Sequence, residues 1–165
     1  MFKEVLSREL KLNPFYEIGE KWMLVTLSAE KINPMTASWG GMGVLWHKNV
    51  VFIFVRPTRF TYNLLVENDY FTLTFYDEKY RDILKYCGTE SGFNVDKIKE
   101  TGLTTLESNG FIFFKEASLV YCCKKIYFDD IKSANFLDKK IDSYYPKKDY
   151  HRMFVGEIVK ILKKD

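Results

Sequence analysis

The chain has 165 residues, 47% of them hydrophobic, and its 14 Phe, 11 Tyr and 3 Trp make it 17% aromatic. That length predicts one domain, residues 1–165, able to bury about two-thirds of the surface its unfolded form exposes. High apolar content with only 9 Gly and 4 Pro excludes a disordered chain, and a net charge of +3 from 25 basic and 22 acidic residues gives little reason to expect nucleic acid as a partner.

In chain order, the N-terminal MFKEVLSREL scatters charges and has no apolar stretch, so no signal peptide is expected. Trp22 to Ser28 (WMLVTLS) and Asn49 to Val55 (NVVFIFV) read as central strands buried on both faces. Val50 to Val55 is the longest apolar run and falls far short of the ~20 residues of a membrane span, so no membrane partner is expected. Between those strands lies Asn33 to Trp46 (NPMTASWGGMGVLW), a loop-like segment of small residues. Thr58 to Asn68 has helical spacing, with Thr58 or Thr61 as N-cap. Tyr70 to Tyr76 alternates Phe71, Leu73 and Phe75 with two threonines, as a strand does. Asp77 to Cys87 and Asn94 to Thr101 are further helices, the second capped by Asn94 and stopped by Gly102. Gly110 to Phe128 is long enough for two strand segments or one bent strand. Asp138 to Asp149 is Lys-rich, interrupted by Pro146, and reads as a surface loop. Arg152 to Lys163 closes the chain as a strand, with Gly156 a bulge or a close backbone approach. Many short strands with few helices suggest a closed or partly open barrel.

The three cysteines are Cys87, Cys122 and Cys123. An odd count without C-x-x-C argues against disulfides and a zinc site, and the two adjacent thiols would point to opposite faces of a strand. Reduced thiols in a cytoplasmic protein are expected, with no metal.

Two segments can carry chemistry. In NPMTASWGGMG, Gly40, Gly41 and Gly43 allow positive φ and close approach of backbone N–H groups, Thr36 and Ser38 offer hydroxyls, and Trp39 offers a planar face. That combination suits a flat heteroaromatic ligand, although a tight turn with core tryptophans has the same composition. In VRPTRFTYN, Arg56 and Arg59 flank a helix start bearing Thr58, Thr61 and Tyr62, where free N–H groups and guanidiniums favour an anion. Two surface arginines around an ordinary helix would read the same way. One strand joins the segments, so one loop can hold a flat ring while the next holds its phosphate. Phe52, Phe54, Phe71 and Phe75 read as barrel packing, and Trp39 and Tyr62 as the aromatics placed to meet a cofactor. His47 reads as a solvated turn residue and His151, before the last strand, as mainly structural.

NPMTASWGGMG, VFIFVRPTRFTYN, YCGTESG with VDK and TGLT, and the closing HRMFVGEIVKIL occur in that order, and together they resemble flavin reductase-like proteins of the flavoredoxin type, in the FMN-binding split-barrel superfamily. The resemblance spans about Asn33 to Leu162. It implies a mainly β fold, a six-stranded antiparallel split barrel of Greek-key type with a few peripheral helices, noncovalent FMN, and a homodimer. It places Thr36, Ala37, Ser38 and Trp39 along the isoalloxazine, Arg56, Arg59, Thr61 and Tyr62 near the ribityl phosphate, and Ser91, Gly92 and Lys97 in a segment covering the cofactor. Phe93 departs from the basic residue that relatives commonly carry after the Ser-Gly pair.

The expected activity is hydride transfer from NADH or NADPH to bound flavin, then electrons onward to free flavin, iron or a redox partner protein, with His151 as the candidate catalytic side chain. The alternatives are a flavin-containing electron carrier reduced by a protein partner, and a non-enzymatic binder of another planar ligand such as haem.

Overall fold

The computed structural model describes residues 1–165. Its strands are β1 (Phe2–Glu4), β2 (Met23–Leu27), β3 (Met35–Ala37), β4 (Gly40–Leu45), β5 (Lys48–Val55), β6 (Tyr70–Phe75), β7 (Thr105–Ser108), β8 (Phe111–Phe114), β9 (Leu119–Asp130) and β10 (Arg152–Lys164). The helices are α1 (Phe60–Glu67), α2 (Arg81–Thr89) and α3 (Lys97–Thr101). The main sheet is antiparallel throughout and runs β3-β2-β6-β9-β10-β5-β4, with β1 added beside β10.

The two ends of that path are β3 and β4, and only Ser38 and Trp39 separate them in sequence. A sheet whose edges are joined by two residues must curl back on itself, and the gap between those edges is the split of the barrel. Eight strands form the sheet where six were expected. The strands that the sequence did not mark are β1, β3 and β4, the last two because the Asn33–Trp46 segment pairs in two places rather than looping. Gly-rich β4 lacks the β-branched and aromatic side chains by which strands are recognised, yet it pairs with β5 over six positions. The hairpin between them turns at Trp46 (φ 52°) and His47 (φ 57°), both left-handed, as a two-residue hairpin turn requires.

Strand alternation sorts the apolar residues into two cores. Inside the barrel lie Val25 and Leu27 of β2, Phe71, Leu73 and Phe75 of β6, Val51, Ile53 and Val55 of β5, and Tyr121 and Cys123 of β9. On the outer face, Leu24, Val120 and Cys122 meet Leu84 and Cys87 of α2 and Phe113 and Phe114 of β8. Cys122 and Cys123 thus face different cores, and all three thiols are free and buried. Burial of β2 on both faces matches expectation, whereas β5 is fully buried on one face and only partly on the other, where Val50 is buried but Phe52 and Phe54 are half-buried.

Gly156 sits at a bulge between β10 and β9, where an added Cβ would lie 2.5 Å from Phe71 Cζ. Both readings of that glycine hold at once. The third helix begins later than the sequence suggested: Asp96, not Asn94, accepts from the N–H groups of Ile98 and Lys99, and Gly102 ends it at φ 68°. Neither Thr58 nor Thr61 caps α1, whose N-cap is Arg59 with no side-chain cap bond. No helix is long and apolar enough to cross a membrane.

Candidate functional site

The split carries the site. β3 pairs only with β2, so on its outer edge every second residue leaves its N–H and C=O unpaired. Beside that edge lies a cavity of about 230 Å³ walled by Thr36, Ala37, Ser38 and Trp39, by Phe54 and Arg56 at the end of β5, and by Arg59 and His151. Trp39 is 46% exposed, unusual for so large an apolar side chain held in the wall of a cavity. Its ring meets His151 at 5.3 Å and Tyr144 edge-on at 5.6 Å.

The two arginines behave differently. Arg56 is engaged: Nη1 donates to Asp149 Oδ1 at 2.9 Å, Nη2 donates to the Tyr144 carbonyl at 2.9 Å, and the guanidinium lies 4.9 Å from the Tyr145 ring. Arg59 has no carboxylate partner; its Nη2 donates to the Gly88 carbonyl at 2.9 Å, at the end of α2. Burial lowers the Arg59 pKa, but a guanidinium still keeps its charge. The unmatched positive charge in the cavity wall is therefore that of Arg59.

Thr36 hydrogen-bonds through its hydroxyl to the Leu84 carbonyl, pinning β3 to α2. That hydroxyl has a structural use. Gly88 allows this contact, since an added Cβ would lie 3.2 Å from Thr36 Cβ. Gly40 has a related use. It has no positive φ, and an added Cβ would lie 2.6 Å from the Phe52 carbonyl oxygen, so this glycine admits the neighbouring strand rather than a ligand.

Of the eleven residues assigned to a cofactor, Thr36, Ala37, Ser38, Trp39, Arg56 and Arg59 converge on the cavity. Thr61, Tyr62, Ser91, Gly92 and Lys97 do not line it. Thr61 points into the core with Leu64 and Leu65, and accepts a hydrogen bond from Asn33 Nδ2 at 3.0 Å. Tyr62 packs on Phe154 at 6.2 Å, under the Arg152 guanidinium. Gly92 lies against Asn33 so closely that a Cβ would clash, and its carbonyl accepts from Lys31. Ser91 Oγ accepts from the Phe93 N–H at 3.2 Å, and Phe93 meets Phe60 edge-on at 5.0 Å.

Lys97 is only 2% exposed, and its ammonium donates to the carbonyls of Pro34 (3.0 Å) and Cys87 (2.8 Å). Burial pulls its pKa down to about 8, with Cys87 opposing and Arg59 adding a smaller push. The 91–97 segment thus braces β3 and the end of α2 from behind.

His151 is 9% exposed and lines the cavity, with Nδ1 2.8 Å from the Tyr145 hydroxyl. Burial lowers its pKa to about 4; Arg56 adds to the shift and Asp149 opposes it. At neutral pH it is an uncharged imidazole, a hydrogen-bonding group rather than an acid. Phe54, read from sequence as core packing, also lines the cavity; the alternation within VVFIFV was the signal for it. Tyr144 and Tyr145 were hidden in a stretch whose lysines and proline read as loop.

Residues 16–165 match the family model described as the flavin reductase like domain. No curated protein matches the chain in sequence. Among solved structures, the fold is similar to an FMN-binding protein from Thermus thermophilus with bound p-hydroxybenzaldehyde (21% identity over 95% of this chain and 79% of that one, TM-score 0.70). It is also similar to a flavoredoxin from Methanosarcina acetivorans (20%, 94% and 75%, TM-score 0.68) and to an NADH:FAD oxidoreductase from Streptomyces globisporus (15%, 87% and 74%, TM-score 0.67). At those identities the likeness is one of fold, a split barrel; the family match spans nearly the whole sequence, and the chain belongs to the flavin reductase-like domain family.

Proposed function

We propose that the chain binds FMN noncovalently at the split of its barrel and works as an oxidoreductase of the flavin reductase type, fed by NADH or NADPH. The observation that carries this reading is the donor set around one cavity: an unpaired strand edge, the Trp39 plane and the uncompensated Arg59 guanidinium. A flat heterocycle with a polar rim and a phosphate tail needs those three features. Relatives described as FMN-binding protein, flavoredoxin and NADH:FAD oxidoreductase support the choice of ligand.

In this reading the backbone of residues 36–38 meets the rim of the ring, Trp39 covers a face or edge, and Arg59 takes the phosphate. Arg56, held by Asp149 and the Tyr144 carbonyl, fixes the wall. Lys97 keeps β3 in place by holding the Pro34 carbonyl. A bound flavin supplies the hydride and electron chemistry, and the protein supplies position and electrostatics. His151 serves as a neutral hydrogen-bonding group beside the cavity. Adding FMN to the flavin-free protein and following flavin fluorescence tests the binding; mixing the loaded protein with NADH or NADPH without oxygen tests the donor.

A carrier reduced by a redox partner protein is the second reading, favoured by Phe93, which puts an aromatic edge on Phe60 where relatives carry a positive charge. Bleaching of the flavin band by NADH or NADPH within seconds excludes it. We also infer a homodimer: Val44 and Trp46 at the β4–β5 turn, and Tyr127 and Phe128 on β9, are apolar side chains exposed by 42% or more. Sedimentation at micromolar concentration checks this. Three buried free thiols fit the reducing cytoplasm.

A further inference from the structure

A second cavity, of about 260 Å³, adjoins the first and shares Trp39, Phe54 and His151 with it. Its outer wall is the segment between β9 and β10, which contributes Ile131, Ile141, Tyr144 and Tyr145. The wall is stiffened by its own aromatics: Tyr145 stacks on Phe136 with 16° between the rings, and meets Tyr150 at 4.9 Å. Arg56 ties it down through the Tyr144 carbonyl and Asp149.

Three properties define what fits. At about 260 Å³ the space has room for one substituted ring, as the adjoining cavity has room for part of a flavin. The lining is mostly aromatic and aliphatic and holds no formally charged side chain; its polar groups are the Tyr145–His151 pair, the Trp39 indole N–H and the Tyr144 hydroxyl. Arg56, beside the Tyr145 ring, is matched by Asp149, and the unmatched Arg59 lines only the adjoining cavity, so a charged occupant would find no free counter-ion in this lining.

The hydrogen bonding of the pair also fixes a polarity. Tyr145 is 3% exposed, and its hydroxyl has one partner, His151 Nδ1 at 2.8 Å. That hydroxyl proton is satisfied only if it is donated to Nδ1, since a buried donor left unpaired costs about 1–3 kcal/mol. In the neutral ring the remaining proton then sits on Nε2. The pair therefore offers the occupant one directional polar group, the Nε2–H donor of His151, beside the Trp39 indole N–H and the Tyr144 hydroxyl.

We propose that this second cavity binds a small, uncharged, single-ring quinone, held between Trp39, Phe54 and the 131–145 segment with one carbonyl oxygen accepting from Nε2–H of His151. Binding follows from the cavity itself; the role that goes with it rests on the flavin reading. In that role the quinone is the electron acceptor: NAD(P)H gives up a hydride, solvent gives one proton, and the quinone leaves as hydroquinone with two electrons and two protons gained.

Duroquinone, whose ring positions are all methylated and so resist thiol addition, is the probe, titrated calorimetrically and by ¹H–¹⁵N NMR into protein without added flavin. Saturable binding is expected, with shifts confined to the Trp39 indole and to His151, Tyr144 and Tyr145. Ile141→Glu, at a 38% exposed position that tolerates charge in the folded state, should weaken it at least tenfold, whereas Ile141→Leu should not. FMN fluorescence titrations on the same two variants read the flavin cavity separately. Absence of saturable binding up to millimolar duroquinone, equal binding of the charged 2,4,6-trimethylbenzoate with shifts at the same residues, or indifference to Ile141→Glu would each overturn the proposal. Duroquinone binding without FMN binding would leave the quinone site standing and remove the flavin reading.

Discussion

Gly40 and Gly43 lie on the same strand, three residues apart, and the structure assigns them opposite responses to the same substitution. An alanine Cβ at Gly40 would lie 2.6 Å from the Phe52 carbonyl oxygen and 3.2 Å from Met23 Cε. Ordinary contact begins at 3.4 Å, so the β5 backbone would have to withdraw by about 0.8 Å, and a paired strand cannot yield like a side-chain tip. Overpacking of that kind costs about 1–3 kcal/mol. Removing a glycine from the unfolded chain returns about 0.5–1 kcal/mol. Gly40→Ala should therefore be less stable by up to about 2.5 kcal/mol, a fall in melting temperature of up to about 10 °C for a chain this size. Gly43 has nothing within 4 Å, so Gly43→Ala should keep the entropic gain of about 0.5–1 kcal/mol. Because Gly40 follows Trp39, its substitution should also weaken FMN binding, and Gly43→Ala should leave it unchanged. Thermal and urea melts of the two variants supply the assay. Equal stability of the pair, or a stabilised Gly40→Ala, would refute the close-approach reasoning.

Arg59→Met should lower FMN affinity about ten- to a hundredfold, the worth of charge-assisted hydrogen bonds, while riboflavin binding stays nearly constant; fluorescence titration with both flavins checks it. Arg56→Met should discriminate the two flavins far less, because Asp149 already matches the Arg56 charge. His151 should titrate near pH 4 by NMR. Since its folded pKa lies below the ordinary 6.5, the unfolded state binds the proton first. Stability should therefore fall as pH drops from 6.5 towards 4, by up to about 1.4 kcal/mol per pH unit from this residue, and His151→Asn should flatten that slope; a midpoint near 6.5 would contradict the burial argument. Gly156→Ala should destabilise by about 1–3 kcal/mol through its clash with Phe71, and Phe71→Leu in the same chain should recover part of the loss in urea melts.

Much of the barrel was legible because its strands carry their own signal: β6 alternates Phe71, Leu73 and Phe75 against threonines, and β2 is apolar but for Thr26. β3 and β4 were not, since their small residues have weak strand propensity and gain their pairing from neighbours distant in sequence. The same segment nevertheless announced the site, through Trp39 among small residues. What sequence spacing could not supply was facing. Thr61 and Tyr62 lie only two and three residues after Arg59, yet one turn of α1 carries Thr61 into the core and Tyr62 onto Phe154. Lys97, read as part of a cover, is a buried brace at the first position of α3, which is capped by Asp96 rather than Asn94. Tyr144 and Tyr145 escaped notice because their lysine-rich surroundings outweighed them, although the aromatics fix how that segment packs.

The central claim is that the split between β3 and β4 holds FMN. Titration of flavin-free protein into micromolar FMN addresses it most directly. A saturable change in flavin fluorescence at one flavin per chain, weakened by Arg59→Met, is the predicted result. Unchanged FMN fluorescence at micromolar protein, in a sample whose melt shows it folded, would contradict it.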